Sequence, residues 1–125
     1  MKVLWGDDDP SWTAKGKEII QKYSPETQVD IVSSGDALVE FAKQGGYTFI
    51  VTDQQYAFRK SGIEAIREIR EFDPKMPIYL LSPTPLETAA KAEGAIFISK
   101  NEFIEQFQAK NEEGVYKKYF AEYLR

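Results

Sequence analysis

Polar residues follow four of the apolar runs in this sequence, and their side chains suit phosphoryl chemistry. They are the aspartates at 7–9, Asp53, Ser82 and Lys100. If the apolar runs are parallel strands, these side chains share the carboxyl edge of one sheet, where open α/β sheets bind ligands. The sequence contains no His and no Cys, so the set offers carboxylate, hydroxyl and ammonium groups. Such a set suits a divalent cation and a phosphoryl group.

The carboxylates need a positive charge, because carboxylates that converge within a few ångströms repel one another. A hard, oxygen-preferring ion such as Mg²⁺ fits, held by few protein ligands and completed by water and a phosphate oxygen. With that repulsion neutralised, a carboxylate can attack a phosphoryl donor and form an acyl phosphate. Lys100 can add positive charge there, and Ser82 can donate a hydroxyl hydrogen bond to a phosphoryl oxygen.

Apolar, strand-like runs alternate with helix-like segments along the chain, which predicts βαβ units and a parallel sheet. The strands are predicted at 2–6, 29–32, 47–52, 78–81 and 95–99. Right-handed crossovers then give an α/β fold with a doubly wound, five-stranded sheet of order 2-1-3-4-5 and helices on both faces. Its switch point lies between strands one and three, and Asp7, Asp8 and Asp53 flank that point.

Composition bounds the class of protein. The chain has 125 residues, 42% hydrophobic and 14% aromatic, so we expect one core and a single domain over 1–125. The net charge of -4 and the pI near 4.9 argue against a nucleic-acid surface. The lack of Cys excludes disulfides and is compatible with the cytosol. No run is apolar and long enough for a signal peptide or a membrane span, and we expect a cytoplasmic protein.

The stretch 101–125 has a helical pattern with an interruption. Phe103 and Phe107 recur at helical spacing, the segment 111–114 interrupts the pattern, and apolar residues resume at Val115. Either a broken fifth helix or a sixth helix after a short fifth one accounts for this pattern. The density of aromatic side chains exceeds what a solvated tail requires, so we expect the stretch to pack on the domain or on a partner.

In order and spacing, nearly the whole chain resembles the receiver domain of two-component response regulators. Asp7 and Asp8 match the acidic pair of that family, and Asp53 matches its phosphoacceptor. Lys100 stands at the position of the family's characteristic lysine. The resemblance implies a flavodoxin-like fold and a Mg²⁺ ion bound by Asp7, Asp8, Asp53 and the backbone carbonyl of Gln55.

The switch positions of the family also have counterparts here. Ser82 stands at the switch hydroxyl, Phe97 at the aromatic switch position, and Gly62 at the glycine that closes the loop before the third helix. In such proteins the acyl phosphate draws the hydroxyl inward and the aromatic ring follows, which changes the face formed by the fourth helix and fifth strand. Two features depart from the family: the loop 54–61 lacks the usual proline and is slightly longer, and Pro83 lacks an N–H donor.

The resemblance implies a stand-alone receiver that accepts a phosphoryl group on Asp53 from a phosphohistidine of a partner protein. The expected partners are a histidine kinase or histidine phosphotransfer protein and a downstream protein target, with a second copy of the chain as a candidate in a homodimer. We expect no nucleic-acid partner and no membrane partner. The chain is expected to be a signalling phosphoprotein, with at most self-phosphorylation and autodephosphorylation as enzymatic activity.

Each site residue also has a simpler interpretation that the sequence leaves open. The aspartates at 7–9 fit a solvated helix-capping cluster, and Asp53 fits a turn. Ser82 fits a strand-end hydroxyl, Lys100 an ordinary surface lysine, and Phe97 plain core packing.

Three other functions fit parts of the pattern. The altered loops at 56–61 and 83–85 fit an atypical receiver that binds protein without phosphorylation. A Mg²⁺-dependent aspartyl phosphohydrolase is a second alternative, although such enzymes usually carry an acidic residue where Gln55 stands. A flavodoxin-like cofactor binder is disfavoured, because no phosphate loop rich in Ser, Thr or Gly follows the first strand.

Overall fold

Five parallel strands form the centre of the protein. In the computed structural model, which describes residues 1–56 and 60–124, the strands are β1 (Lys2–Gly6), β2 (Gln28–Val32), β3 (Phe49–Asp53), β4 (Ile78–Ser82) and β5 (Ile96–Ser99). Their order is β2-β1-β3-β4-β5, and each neighbouring pair is parallel. The three central strands are buried along almost their whole length, because helices cover both faces of the sheet. The predicted strand order and fold class are confirmed.

The helices of the described residues lie between and after the strands. They are α1 (Pro10–Tyr23), α2 (Gly35–Gln44), α3 (Gly62–Phe72), α4 (Glu87–Ala92), α5 (Lys100–Gln108) and α6 (Glu112–Val115), and a π-helical turn, Tyr116–Phe120, follows α6. Side-chain oxygens of Asp9, Ser34 and Ser61 accept backbone N–H groups at the starts of α1, α2 and α3. These caps satisfy donors that the first helical turn leaves without a partner.

The third strand differs from the sequence expectation by two residues at its start. The sequence places it at 47–52, whereas β3 is Phe49–Asp53. Tyr47 lies before the strand, where its hydroxyl donates to Asp30 Oδ2 at 2.6 Å. Asp53 belongs to the strand itself and pairs with Leu81 of β4, so the sheet ladder fixes the position of its backbone.

The C-terminal stretch is a short fifth helix followed by an added sixth one. α5 ends at Gln108, and Lys110 then has a φ of +56°. A right-handed helix cannot continue through that conformation. The side chain of Asn111 starts α6 by accepting the N–H of Gly114 at 3.2 Å. Of the two alternatives that the sequence left open, the structure shows the second.

Aromatic side chains fill the layer between the sheet, α1, α5 and the π-helical turn. Phe120 is fully buried and stacks on Phe49 of β3, with ring centroids 5.6 Å apart and planes inclined by 4°. It also meets the ring of Trp5 edge-on at 5.7 Å. Trp5 in turn fills the space beside Gly16 of α1, where a Cβ would lie 2.6 Å from the indole ring. The C-terminal aromatic residues therefore pack on the domain, as the sequence predicts.

A hydroxyl from the sheet caps the π-helical turn Tyr116–Phe120. In a regular α-helix the carbonyl of Tyr119 would accept the N–H of Tyr123. Here the N–H of Tyr123 donates to the carbonyl of Phe120, and the Tyr119 carbonyl accepts the hydroxyl of Tyr79 in β4 at 2.5 Å. The sheet thus satisfies a buried carbonyl that the helix leaves free.

The opposite face of the sheet packs on α2, α3 and α4 through aliphatic side chains. Leu4, Ile50 and Leu80 of the central strands form a fully buried cluster with Ile66 and Ile69 of α3. Because both faces are covered, the carboxyl edge of the sheet is built on a rigid support. Among the described residues, no helix combines the length and apolar character that a membrane span requires.

We predict that Phe120→Ala lowers the free energy of unfolding by about 3–5 kcal/mol, because it leaves a cavity against Phe49 and Trp5. Urea denaturation measures this change. Glu122→Ala, at an exposed position close by, is the control and should change stability by less than about 0.5 kcal/mol. Equal effects of the two substitutions would show that the C-terminal stretch does not pack on the sheet.

Candidate functional site

Three carboxylates meet at the carboxyl edge of the sheet. β1 and β3 are hydrogen-bonded neighbours in which Gly6 pairs with Thr52, so the residues that follow each of them emerge side by side. One ligand oxygen from each of Asp7, Asp8 and Asp53 lies within 4.8 Å of the others. Asp7 and Asp53 are buried and Asp8 is exposed. The convergence expected from the topology is present.

The three consecutive aspartates have different partners. Asp7 Oδ1 accepts the N–H of Asp9 at 2.9 Å, which holds the Asp7 carboxylate toward the interior. Asp9 Oδ1 accepts both the N–H and the hydroxyl of Ser11, at 3.0 and 2.7 Å. The Ser11 hydroxyl, followed by its N–H, lowers the pKa of Asp9. Helix capping therefore accounts for Asp9, whereas Asp7 and Asp8 join Asp53.

Lys100 links two of the carboxylates. It is the first residue of α5, directly after β5, and its Nζ lies 3.4 Å from Asp7 Oδ2 and 3.3 Å from Asp53 Oδ1. Burial alone would lower the pKa of Lys100, but the negative charges of Asp53 and Asp7 outweigh burial and raise it. Lys100 is thus a charged, half-buried ammonium in the site and not an ordinary surface lysine.

The carboxylates are destabilised by their own surroundings. Burial, followed by the negative charge of Asp7, raises the pKa of Asp53 from 3.8 to about 6, although Lys100 opposes the shift. Burial also raises the pKa of Asp7. When ionised, Asp7, Asp8 and Asp53 carry three negative charges against one positive charge on Lys100. The negative charge that remains is the amount that a divalent cation neutralises, and the oxygen donors are those that Mg²⁺ prefers, so the residues present fit this ion.

The residue after Asp53 ties β3 to the start of α3. The carbonyl of Gln54 accepts the N–H of Gly62 at 2.9 Å, and its side-chain Oε1 accepts the N–H of Ile63 at 2.9 Å. A Cβ on Gly62 would lie only 2.3 Å from the carbonyl oxygen of Asp53. Glycine is required at position 62 because the backbone of the acidic strand end passes so close.

The other predicted residues lie on β4, on β5 and in the loop after β3. Ser82 is the buried last residue of β4, and its Oγ accepts the N–H of Thr84 at 3.1 Å. Phe97 is half-buried in β5 and packs against the cluster on the α3 side of the sheet. Gln55 is exposed in the loop after β3. The sequence predicts that the loop 54–61 differs from the corresponding loop of the receiver family. Residues 57–59 of this loop lie outside the described residues.

Two hydroxyl groups beside the cluster have no role that was predicted from the sequence. The hydroxyl of Tyr56 lies 2.8 Å from Thr52 Oγ1, and Thr52 Oγ1 donates to the carbonyl of Asp53 at 2.9 Å. Thr52 is fully buried. The sequence did show a hydroxyl residue, Thr52, directly before Asp53 in an otherwise apolar strand. Thr is also common in strands because of its β-propensity, so its presence alone did not indicate a role.

Comparison with known families accounts for this arrangement. The family model described as "Response regulator receiver domain" matches residues 3–111 of the chain, a span that contains every residue of the site above. The chain belongs to the response regulator receiver family. No curated protein sequence matches it significantly. The predicted family is confirmed, and the chain is a receiver domain of two-component phosphorelay signalling.

Solved receiver structures share the fold of this receiver domain. Chemotaxis protein CheY4 of Vibrio cholerae superposes with a TM-score of 0.69 at 19% identity, over 86% of this chain and 96% of that one. For a response regulator receiver protein from Sinorhizobium medicae the values are 0.68, 26%, 83% and 88%. For response regulator protein TrrA from Thermotoga maritima, in complex with Mg(2+)-BeF, they are 0.67, 21%, 89% and 97%. Receiver domains bind Mg²⁺ at an acidic pocket and interact with histidine kinases or phosphotransfer proteins.

We predict that Asp53→Asn stabilises the receiver at pH 7 in the presence of a chelator. The raised pKa, about 6 against 3.8, means that the folded protein holds this proton more tightly than the unfolded chain. That contribution is complete below 3.8 and is lost as the pH rises through about 6. Ionised Asp53 therefore costs on the order of 1–3 kcal/mol at neutral pH, which the amide avoids.

Urea denaturation at pH 7 and near pH 4 tests this sign. The gain in the free energy of unfolding should be present at pH 7 and should largely vanish near pH 4. Asp73→Asn, a half-buried carboxylate at the end of α3, is the control for a general change of net charge. A loss of stability at pH 7 in the Asp53 variant alone would contradict the prediction.

Proposed function

We propose that this receiver accepts a phosphoryl group on Asp53 from a phosphohistidine of a partner protein and signals through a changed protein-binding face. The observation that carries the proposal is the position of Lys100, whose ammonium contacts both Asp53 and Asp7 beside the carboxylate cluster. Residues 1–125 act together as one receiver domain. Because the chain contains no His, the donor histidine belongs to a histidine kinase or a histidine phosphotransfer protein.

Mg²⁺ is the cofactor of the proposed reaction. Asp7, Asp8 and Asp53 would hold the ion, together with the backbone carbonyl of Gln55. When bound, it neutralises the carboxylates and the charge on the transferring oxygens. The structure of a Thermotoga maritima response regulator in complex with Mg(2+)-BeF supports this assignment.

Asp53 is the nucleophile of the proposed reaction. Lys100 Nζ and the N–H of Gln54 both contact Asp53 Oδ1, at 3.3 and 3.0 Å, so we assign the attack on phosphorus to Oδ2. The new O–P bond forms as the P–N bond of the phosphohistidine breaks. The electron pair of the P–N bond returns to the imidazole ring of the donor. Lys100 then offers its positive charge to an oxygen of the transferred group.

Ser82 and Phe97 are the proposed link from the phosphoryl group to the output face. The Ser82 hydroxyl accepts the N–H of Thr84, and its own proton remains to be donated to a phosphoryl oxygen. Pro83 has no N–H to offer, which makes the hydroxyl more important. Movement of Ser82 toward the phosphoryl group leaves room into which the half-buried ring of Phe97 moves, and the surface formed by α4 and β5 changes.

We predict that incubation with acetyl phosphate and MgCl₂ adds the mass of one phosphoryl group to the intact protein. Asp53→Asn and excess chelator should each abolish the adduct. Lys100→Ala should slow its formation by about 100-fold, because a positioned positive charge at the transferring oxygens is lost. Asp73→Asn, at the end of α3 opposite to Gly62, should be phosphorylated at the wild-type rate. Intact-mass spectrometry over a time course measures the adduct in the wild type, in the sample with chelator and in the three variants.

Fast hydrolysis of the acyl phosphate can hide the adduct, so beryllofluoride with MgCl₂ is the second arm. Binding should change the fluorescence of buried Trp5, which lies in β1 two residues before Asp7. If no phosphoryl adduct forms and beryllofluoride changes no fluorescence, the proposal is wrong and a binding module that acts without phosphorylation takes its place. Multiple turnover of a small phosphate ester would instead support a phosphohydrolase.

A further inference from the structure

We infer that Tyr56 is a positioning residue for Asp53 and that it acts through the hydroxyl of Thr52. The inference rests on the proposed role of Asp53 as phosphoacceptor. Tyr56 does not contact the reacting oxygen; it fixes the peptide link that follows Asp53, and this link holds one oxygen of the carboxylate.

The direction of the hydrogen bonds between these residues follows from proton counting. Thr52 Oγ1 donates its single proton to the carbonyl oxygen of Asp53 at 2.9 Å. The contact of 2.8 Å between Thr52 Oγ1 and the Tyr56 hydroxyl must therefore use the proton of Tyr56. The chain of bonds runs from Tyr56 to Thr52 to the backbone of Asp53.

The peptide link between Asp53 and Gln54 is held at both of its polar groups. Its carbonyl accepts the Thr52 hydroxyl and lies against Gly62. Its N–H is shared between Asp53 Oδ1 and the carbonyl of Leu81, each at 3.0 Å. Rotation of this link would pull the N–H away from Oδ1 and reorient the carboxylate. The Thr52 hydroxyl opposes that rotation, and Tyr56 fixes the rotamer of the hydroxyl.

A second observation shows that the sheet leaves space for the Tyr56 hydroxyl. Gly6 is the last residue of β1, and a Cβ there would lie 2.1 Å from the Tyr56 hydroxyl oxygen. The nearest ring carbon of Tyr56 would be at 3.4 Å, an ordinary contact distance. Gly6 and Thr52 are partners in the β1–β3 register, so the hydroxyl sits where two strand ends meet.

The kinetic test compares four variants with acetyl phosphate at saturating MgCl₂. Tyr56→Phe and Thr52→Val each remove one hydroxyl and should slow phosphorylation by about 5- to 10-fold. Thr52→Ser keeps the hydroxyl and should retain most of the rate. The double variant should be no slower than Thr52→Val alone, since Tyr56 acts through Thr52. The MgCl₂ concentration at half-maximal rate should change by less than about twofold, because no metal ligand is altered.

Additive effects of the two single substitutions would overturn the inference. So would loss of rate in Thr52→Ser equal to that in Thr52→Val, since that result would assign the effect to packing.

Two readouts do not depend on phosphorylation. In the metal-free protein, the amide resonance of Gln54 should shift in Tyr56→Phe and Thr52→Val and stay in place in Thr52→Ser. In Gly6→Ala the added methyl group would lie 2.1 Å from the Tyr56 hydroxyl oxygen and 2.9 Å from Leu38 Cδ1. This substitution should lower the urea midpoint, and adding Tyr56→Phe should restore part of the loss by removing the nearer of these two atoms.

These readouts separate the inference from the proposed function. If the wild-type protein takes no phosphoryl group and yet both readouts behave as expected, the hydroxyl chain stands and the phosphoacceptor role of Asp53 falls. If the Gln54 resonance is unchanged in both Tyr56→Phe and Thr52→Val, the positioning role of Tyr56 is wrong whatever the kinetics show.

Discussion

The repulsion between two buried carboxylates is the constraint on which the carboxyl edge of this receiver depends. Asp7 follows β1, and Asp53 is the last residue of the neighbouring strand β3. Because the β1–β3 ladder fixes the register of the two strands, neither carboxylate can move away from the other. Lys100 offsets part of the repulsion, and burial keeps the remainder strong because water screens it poorly. The geometry that costs stability in the absence of a cation is the same geometry that would hold the Mg²⁺ ion of the proposed function, a usual compromise at functional sites.

Parallel topology explains why the convergence of the site was visible in the sequence. Buried apolar runs specify the strands, and residues that follow parallel strands share one edge whatever their rotamers. Topology alone was enough to predict that Asp7, Asp53 and Lys100 lie together. It was not enough to predict the separate role of Asp9, because that role depends on the N–H and hydroxyl of Ser11. Three consecutive aspartates cannot be told apart in the sequence until their hydrogen-bond partners are known.

The contacts that the sequence did not predict depend on the path of a loop. Tyr56 contacts Thr52 and lies beside Gly6 because residues 54–56 turn back against the strand ends, and residue types in a loop do not encode that direction. The role of Gly6 can be interpreted only once the structure is known, because the space that its side chain would fill is occupied by Tyr56. The C-terminal helices also could be predicted only in part. Their apolar spacing indicated helices, but the break between them depends on one backbone torsion, the positive φ of Lys110.

The hydrogen bond from Tyr79 to the carbonyl of Tyr119 has a consequence for how the chain folds. The two residues are 40 positions apart, so the π-helical turn gains its cap only once β4 has joined the sheet. Closing a loop of that length before its contacts form is unfavourable. We therefore expect the aromatic layer under Phe120 to close late. Until it does, Phe49 and Trp5 present an open apolar face, and nascent chains are most prone to self-association in that interval.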